Sequence, residues 1–184
     1  MSAAHIGQLV WYATGRFYKK QSGDLLDVGY FLHLQGVAGS LFSGQPSEST
    51  ALFTFGSTPF QTSTVDNAGL SVGIDVRGTF SLFLRERPGA SFDHPDSFSV
   101  GQCIATFERV SIVATAETAT LFSNVFSARL VSADDFQFAG ARYNFRELVG
   151  YGITQWGLAA AEPITPPPQY ESVVPFVGSA IRIG

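Results

Sequence analysis

His33, Tyr30 and Glu108 are the side chains of this sequence whose types suit proton transfer or the orienting of a reactive substrate. An imidazole changes charge near neutral pH and acts as acid or base where a substrate reaches it. His33 follows Phe31 by two positions and shares the parity of Asp27, so an extended chain places all three on one face. That face is either a ligand-lined interior or a solvent-facing surface beside Gln35, and one unpaired histidine favours the surface. If the face of Ile104 and Ile112 points inward, Glu108 becomes an inward carboxylate in need of a cation, with Arg129 or Arg16 on hand. The plainer expectation for Glu108 is a rim charge that guards a sheet edge. Trp11, Tyr12, Tyr30, Phe31, His33, Phe107 and Phe126 form the expected ligand-lining set, since flat rings fill a core first and line a pocket where the core is incomplete.

Other constellations fall short of a site. Asp93-His94-Pro95-Asp96 offers two carboxylates and an imidazole, but calcium takes about six or more oxygens and zinc three or four N or S ligands. His5 and His33 are the remaining histidines and lie far off in sequence. We read the loop as a turn stiffened by Pro95, and expect no metal and no cofactor. Cys103 is the single cysteine, so no internal disulfide forms, and the expected role is an inert buried thiol. Phosphate-loop, zinc-protease and paired-cysteine motifs are all missing.

The elements that must position these residues repeat with period two. Leu26, Val28, Tyr30, Leu32 and Leu34 alternate with Asp27, Gly29, Phe31 and His33; Phe80, Leu82 and Leu84 alternate with Thr79, Ser81 and Phe83. Such alternation describes strands buried on one face. Gln21-Ser22-Gly23-Asp24, Asp66-Asn67-Ala68-Gly69, Arg77-Gly78 and Ala139-Gly140 supply turn chemistry between the runs. Residues 103–115 and 119–131 are apolar on both faces or slip phase, which predicts strands covered on both sides or interrupted by a bulge. Helix is confined to a single turn at 146–150 and a weaker candidate at 157–162, ended by Pro163.

These runs predict an all-β chain: a single antiparallel β-barrel of about eight strands with a short helical insert and a C-terminal wrap, or, alternatively, a two-sheet β-sandwich. The barrel domain spans 1–163, and 164–184 is a Pro-rich linker with an apolar segment that packs back on the barrel or on a neighbouring subunit. A Phe-rich hairpin barrel of this size is similar in general look to lipocalin-like and allene-oxide-cyclase-like barrels, an analogy of fold that transfers no residue.

Composition narrows the partners. Charged residues make up 14% of the 184-residue chain against about 25% in ordinary soluble domains, and the formal charge is −4. Two adjacent lysines, Lys19 and Lys20, make no basic stripe, so nucleic acid is not expected. No apolar run approaches the roughly 20 residues of a spanning helix, so no membrane is expected. The start shows no leader pattern, and the lone cysteine suits a cytoplasmic protein; an exported one whose leader was trimmed is the alternative. Three functions stay open: a binding barrel for a small apolar or aromatic molecule, a cofactor-free cyclase or isomerase, and an assembly module that forms a homo-oligomer through its C-terminal segment.

Overall fold

The computed structural model describes residues 6–61, 63–67, 70–75, 78–116, 121–160 and 164–184. His5, the Ala68-Gly69 turn, Arg77 and Pro163 therefore lie outside the described residues. The strands are β1 (Leu9–Lys20), β2 (Leu25–Leu34), β3 (Phe53–Ser57), β4 (Ser63–Asn67), β5 (Leu70–Asp75), β6 (Thr79–Leu84) and β7 (Gln102–Ala116). They continue with β8 (Leu121–Ala133), β9 (Phe136–Phe138), β10 (Ala141–Tyr143), β11 (Gly152–Ala160) and β12 (Tyr170–Arg182). A 3-10 turn, Pro95–Ser99, and one short helix, α1 (Phe145–Val149), complete the fold.

Pairing runs β7-β6-β3-β2-β1-β12-β11-β8, and β8 returns to β7. Eight antiparallel strands thus close a barrel, as the period-two runs predicted. Closure removes the open edges that a sandwich would leave. β7 is the longest strand at 15 residues: Gln102–Glu108 pairs with β6, and the stretch from Ile112 to Thr115 pairs with β5 of the β4–β5 hairpin. The expected single helical turn is α1, capped by Asn144, whose side chain accepts from the Arg146 N–H at 2.9 Å.

Two expectations change. Of the weak helical candidate at 157–162, residues 157–160 are the end of β11, flanked by β8 and β12, and residues 161–162 lie outside the described residues. The C-terminal segment packs into the barrel wall itself. β12 is a stave between β1 and β11, with Tyr170, Val173, Phe176 and Ala180 buried. Pro175 sits one residue beyond the last β11 pair, Ala159–Phe176, so its missing N–H faces no neighbour on that side.

The interior packs Trp11, Ala13, Phe31, Phe53, Phe55, Phe80, Phe107, Phe126 and Phe176 into one cluster. A second core lies outside the barrel wall. There Tyr18, Leu26, Val28, Tyr170 and Val173 are covered by Ala90 and Phe98 from the long 85–101 connection. Tyr18 Oη donates to Phe92 O at 2.7 Å and Thr54 Oγ1 to Phe98 O at 2.7 Å, so the cover is pinned by buried hydrogen bonds. Leu26 and Val28 are therefore buried while pointing outward.

Bulges decide the rest. Pairing of β1 with β2 steps from Tyr12–His33 to Ala13–Phe31, leaving Leu32 extra. Leu32 is accordingly exposed, and parity flips so that Leu34 turns into the interior cluster. Ile104 is the extra residue against β6, which lets both Ile104 and Ala105 be buried in succession. The phase slip expected in residues 103–115 is this bulge together with a second at Val110, the extra residue against β8.

Candidate functional site

Within the barrel, Trp11, Ala13, Phe17, Asp27, Phe31, Phe55, Phe80, Arg109, Phe126, Gln155 and Phe176 surround a small space of about 20 Å³. That volume accommodates roughly one water. The lining comes from β1, β2, β3, β6, β7, β8, β11 and β12, every stave of the barrel. Gly15 and Gly29, paired across β1 and β2, make room for it. A Cβ on Gly15 would lie 2.8 Å from the Phe176 ring, and one on Gly29 would lie 2.6 Å from the Phe55 ring. Both rings reach over bare backbone.

Three polar side chains stand in this aromatic surround. Trp11 Nε1 donates to Gln155 Oε1 at 2.9 Å. Arg109 Nη2 donates to Asp27 Oδ1 at 2.6 Å, with side-chain exposures of 1% and 9%. The Arg109 guanidinium stacks over Phe60 at 4.3 Å from the ring centre, with Phe80 and Phe126 at 5.7 and 5.9 Å. These rings replace part of the hydration that a buried cation loses. Among the described residues, Arg109 Nε and Nη1 have no hydrogen-bond partner. A buried charged donor left unmade costs on the order of 1–3 kcal/mol or more, so the site holds an unspent capacity to donate.

Trp11, Phe31, Phe107 and Phe126 of the expected set meet in this interior; Trp11 packs edge-on against Phe31 and Phe107 at 5.4 and 5.8 Å. Tyr12, Tyr30 and His33 do not join them. Tyr12 is exposed, and Tyr30 packs outside the wall against Phe42 and Phe92. Burial raises the Tyr30 pKa above its ordinary value, and the Glu48 charge adds to the shift. His33 is exposed and shares a 3.2 Å hydrogen bond with Gln35, the surface setting foreseen for it. Glu108 also lies outside, paired with Arg129 at 2.5 Å, which is one of the partners expected for it, but in solvent. His33, Tyr30 and Glu108 are thus not brought together. Cys103, expected to be buried, is exposed because the Ile104 bulge turns it outward.

Asp27, Arg109 and Gln155 are the polar residues of this interior that sequence reasoning missed. Asp27 had the right parity beside Phe31, but Arg109 was overshadowed by its neighbour Glu108. Bulges on either side of the pair, at Ile104 and at Val110, fix which of the two points inward.

A wider open cleft of about 900 Å³ lies at the other end of β6, between Arg85–Arg87, Val100–Gln102 and the β9–β10 hairpin. Two of its charged groups, Asp135 and Arg85, are already engaged. Asp135 accepts from Arg142 and from Asn144, and both bonds hold its carboxyl below the usual range. Arg85 Nη1 serves the carbonyls of Ser97 and Val100, although its Nε is unpartnered. Among the described residues, no cluster of three or more His, Cys, Asp or Glu side chains is placed to hold a metal ion.

The outer wall of β8, β11, β12 and β1 is different again. Val125, Trp156, Ser179, Tyr12 and His33 run directly across these strands and β2 in one row. Val177 and Ile181 flank that row, and with Val125, Trp156 and Tyr12 they are exposed apolar side chains.

No protein-family model matches the chain, and no curated protein or solved structure is measurably similar to it.

Proposed function

We propose that the protein is a small-molecule-binding barrel that takes a flat apolar or aromatic compound into its interior. The observation that carries this reading is the lining itself: an aromatic enclosure around a few fixed polar groups, with two Arg109 nitrogens, Nε and Nη1, unpartnered among the described residues. Binding sites for small molecules have this make-up, mostly apolar with a few placed polar atoms. A folded core selected for stability alone does better without an ion pair, since apolar replacements are often neutral or stabilising. The resting space of about 20 Å³ is smaller than such a ligand, so rings give way on entry. Phe17 is the lining ring that reaches solvent, and it contacts Phe176 at 4.5 Å; it is the entrance.

Native mass spectrometry of protein purified from its own host tests the reading. A constant mass increment above the 19.8 kDa chain, removed by denaturation, is expected. Protein that leaves its host unladen, and gains no thermal stability from a panel of flat apolar compounds, contradicts it.

The uncharged row of Val125, Trp156, Ser179 and Tyr12 supports a second reading, association of two copies through the face centred on β12. Copies that each carry a charge of −4 meet with least repulsion on an uncharged wall. Sedimentation of a dimer that Trp156→Glu converts to a monomer supports it; a wild-type monomer overturns it. The cyclase or isomerase reading loses its named acid and base groups to the outside of the barrel.

A further inference from the structure

We infer that the polar group recognised inside the barrel is a neutral carbonyl oxygen, so that the ligand class is a ketone, ester, lactone or amide on a flat apolar body. The inference rests on the interior-binding reading above and specifies its chemistry. The unpartnered positions on the lining are donors, Arg109 Nε and Nη1. Of the acceptors beside them, Gln155 Oε1 is engaged by the Trp11 indole, and Asp27 Oδ1 by Arg109 Nη2. The unpartnered Arg109 donors therefore select a ligand that brings an acceptor.

Charge selects among acceptors. Arg109 and Asp27 already sum to zero within a wall of Phe60, Phe80 and Phe126. A carboxylate docked on Arg109 would place a second anion beside Asp27 on the same guanidinium, leaving one buried negative charge uncompensated. Such charges are among the costliest groups to bury. An ammonium would face the guanidinium itself. A carbonyl oxygen accepts a charge-assisted hydrogen bond from Nε or Nη1 and leaves the total at zero. The ring stack on Phe60 fixes the guanidinium plane, so the donors are held in place before the ligand arrives.

Three matched probes separate the outcomes on the unmodified protein: 2-acetonaphthone, 2-ethylnaphthalene and 2-naphthoate, with affinities from calorimetric or NMR titration. A hydrogen bond to a charged donor is worth about tenfold or more in affinity. We expect the ketone to bind at least about tenfold tighter than the hydrocarbon, and the carboxylate no tighter than the hydrocarbon. The bound ketone should show its carbonyl stretch below the value in cyclohexane, and Arg109→Lys, which leaves Asp27 a cationic partner, should abolish both the shift and the preference. Equal binding of ketone and hydrocarbon overturns the carbonyl inference while leaving the barrel reading intact. Tightest binding of 2-naphthoate overturns it in favour of an anion site. Binding of none of the three overturns the interior reading and the inference together.

Discussion

Asp27 on β2 and Arg109 on β7 are joined at 2.6 Å through the inside of the barrel, across the two intervening strands β3 and β6. Each is 82 positions from the other in the chain, and both are withdrawn from water among phenylalanine rings. Removing one partner leaves a buried charge alone, whereas removing both leaves an apolar core. Asp27→Ala should therefore lower unfolding stability by about 3–5 kcal/mol, while Asp27→Leu with Arg109→Met should recover most of the loss. Urea denaturation of the three proteins measures it, and a double variant as weak as the single one would show that the pair holds the barrel together.

Tyr18 supplies a pH signature. It is fully buried, donates to Phe92 O, and burial pushes its pKa up to about 12 from an ordinary 10. The folded state thus keeps a proton that the unfolded chain releases. The stability so gained is complete below pH 10 and is lost as pH rises from about 10 to about 12. Burial also raises Tyr170, which packs on Tyr18 at 4.8 Å. Denaturation midpoints measured at pH 9 and pH 11 should fall, and fall less in Tyr18→Phe.

The period-two runs of β2 and β6 and the turn residues between them were enough to read an all-β hairpin barrel. What hid was parity. One inserted residue, Leu32, puts His33 outside and Leu34 inside, although alternation alone sets Leu34 with Leu26 and Val28. Ile104 and Val110 do the same for Glu108 and Arg109. A bulge costs little locally and is set by partners far along the chain, so no local pattern announces it. The outer core hid for a related reason: Leu26 and Val28 look like interior residues, because burial under a loop leaves the same apolar period as burial in a barrel. β12 was masked by the prolines that precede it, which suggest a linker, and its apolar residues gave the true signal.

Truncation makes β12's place measurable. Deleting residues 169–184 removes a stave paired on both edges and exposes the ladders of β1 and β11. The shortened chain should lose its cooperative thermal transition and precipitate or remain unfolded by circular dichroism. A soluble, cooperatively melting product would contradict the closed topology.

His33 should be dispensable. It is exposed, its contact is Gln35 and the neighbouring Tyr12 ring, and it faces away from the interior. His33→Ala should change stability by no more than about 0.5 kcal/mol and leave ligand affinity unchanged. Loss of binding in a folded His33→Ala protein would move the site to the outer wall.

The two tryptophans report separately on the inside and the outside, since Trp11 is buried against the interior space and Trp156 stands half-exposed on the outer wall. In a ¹H–¹⁵N NMR spectrum each gives one indole N–H signal, assigned by Trp156→Phe. Titration with 2-acetonaphthone should move the Trp11 signal, whose N–H is held by Gln155, and leave that of Trp156 in place. Movement of the Trp156 signal alone, with Trp11 unchanged, would contradict binding inside the barrel.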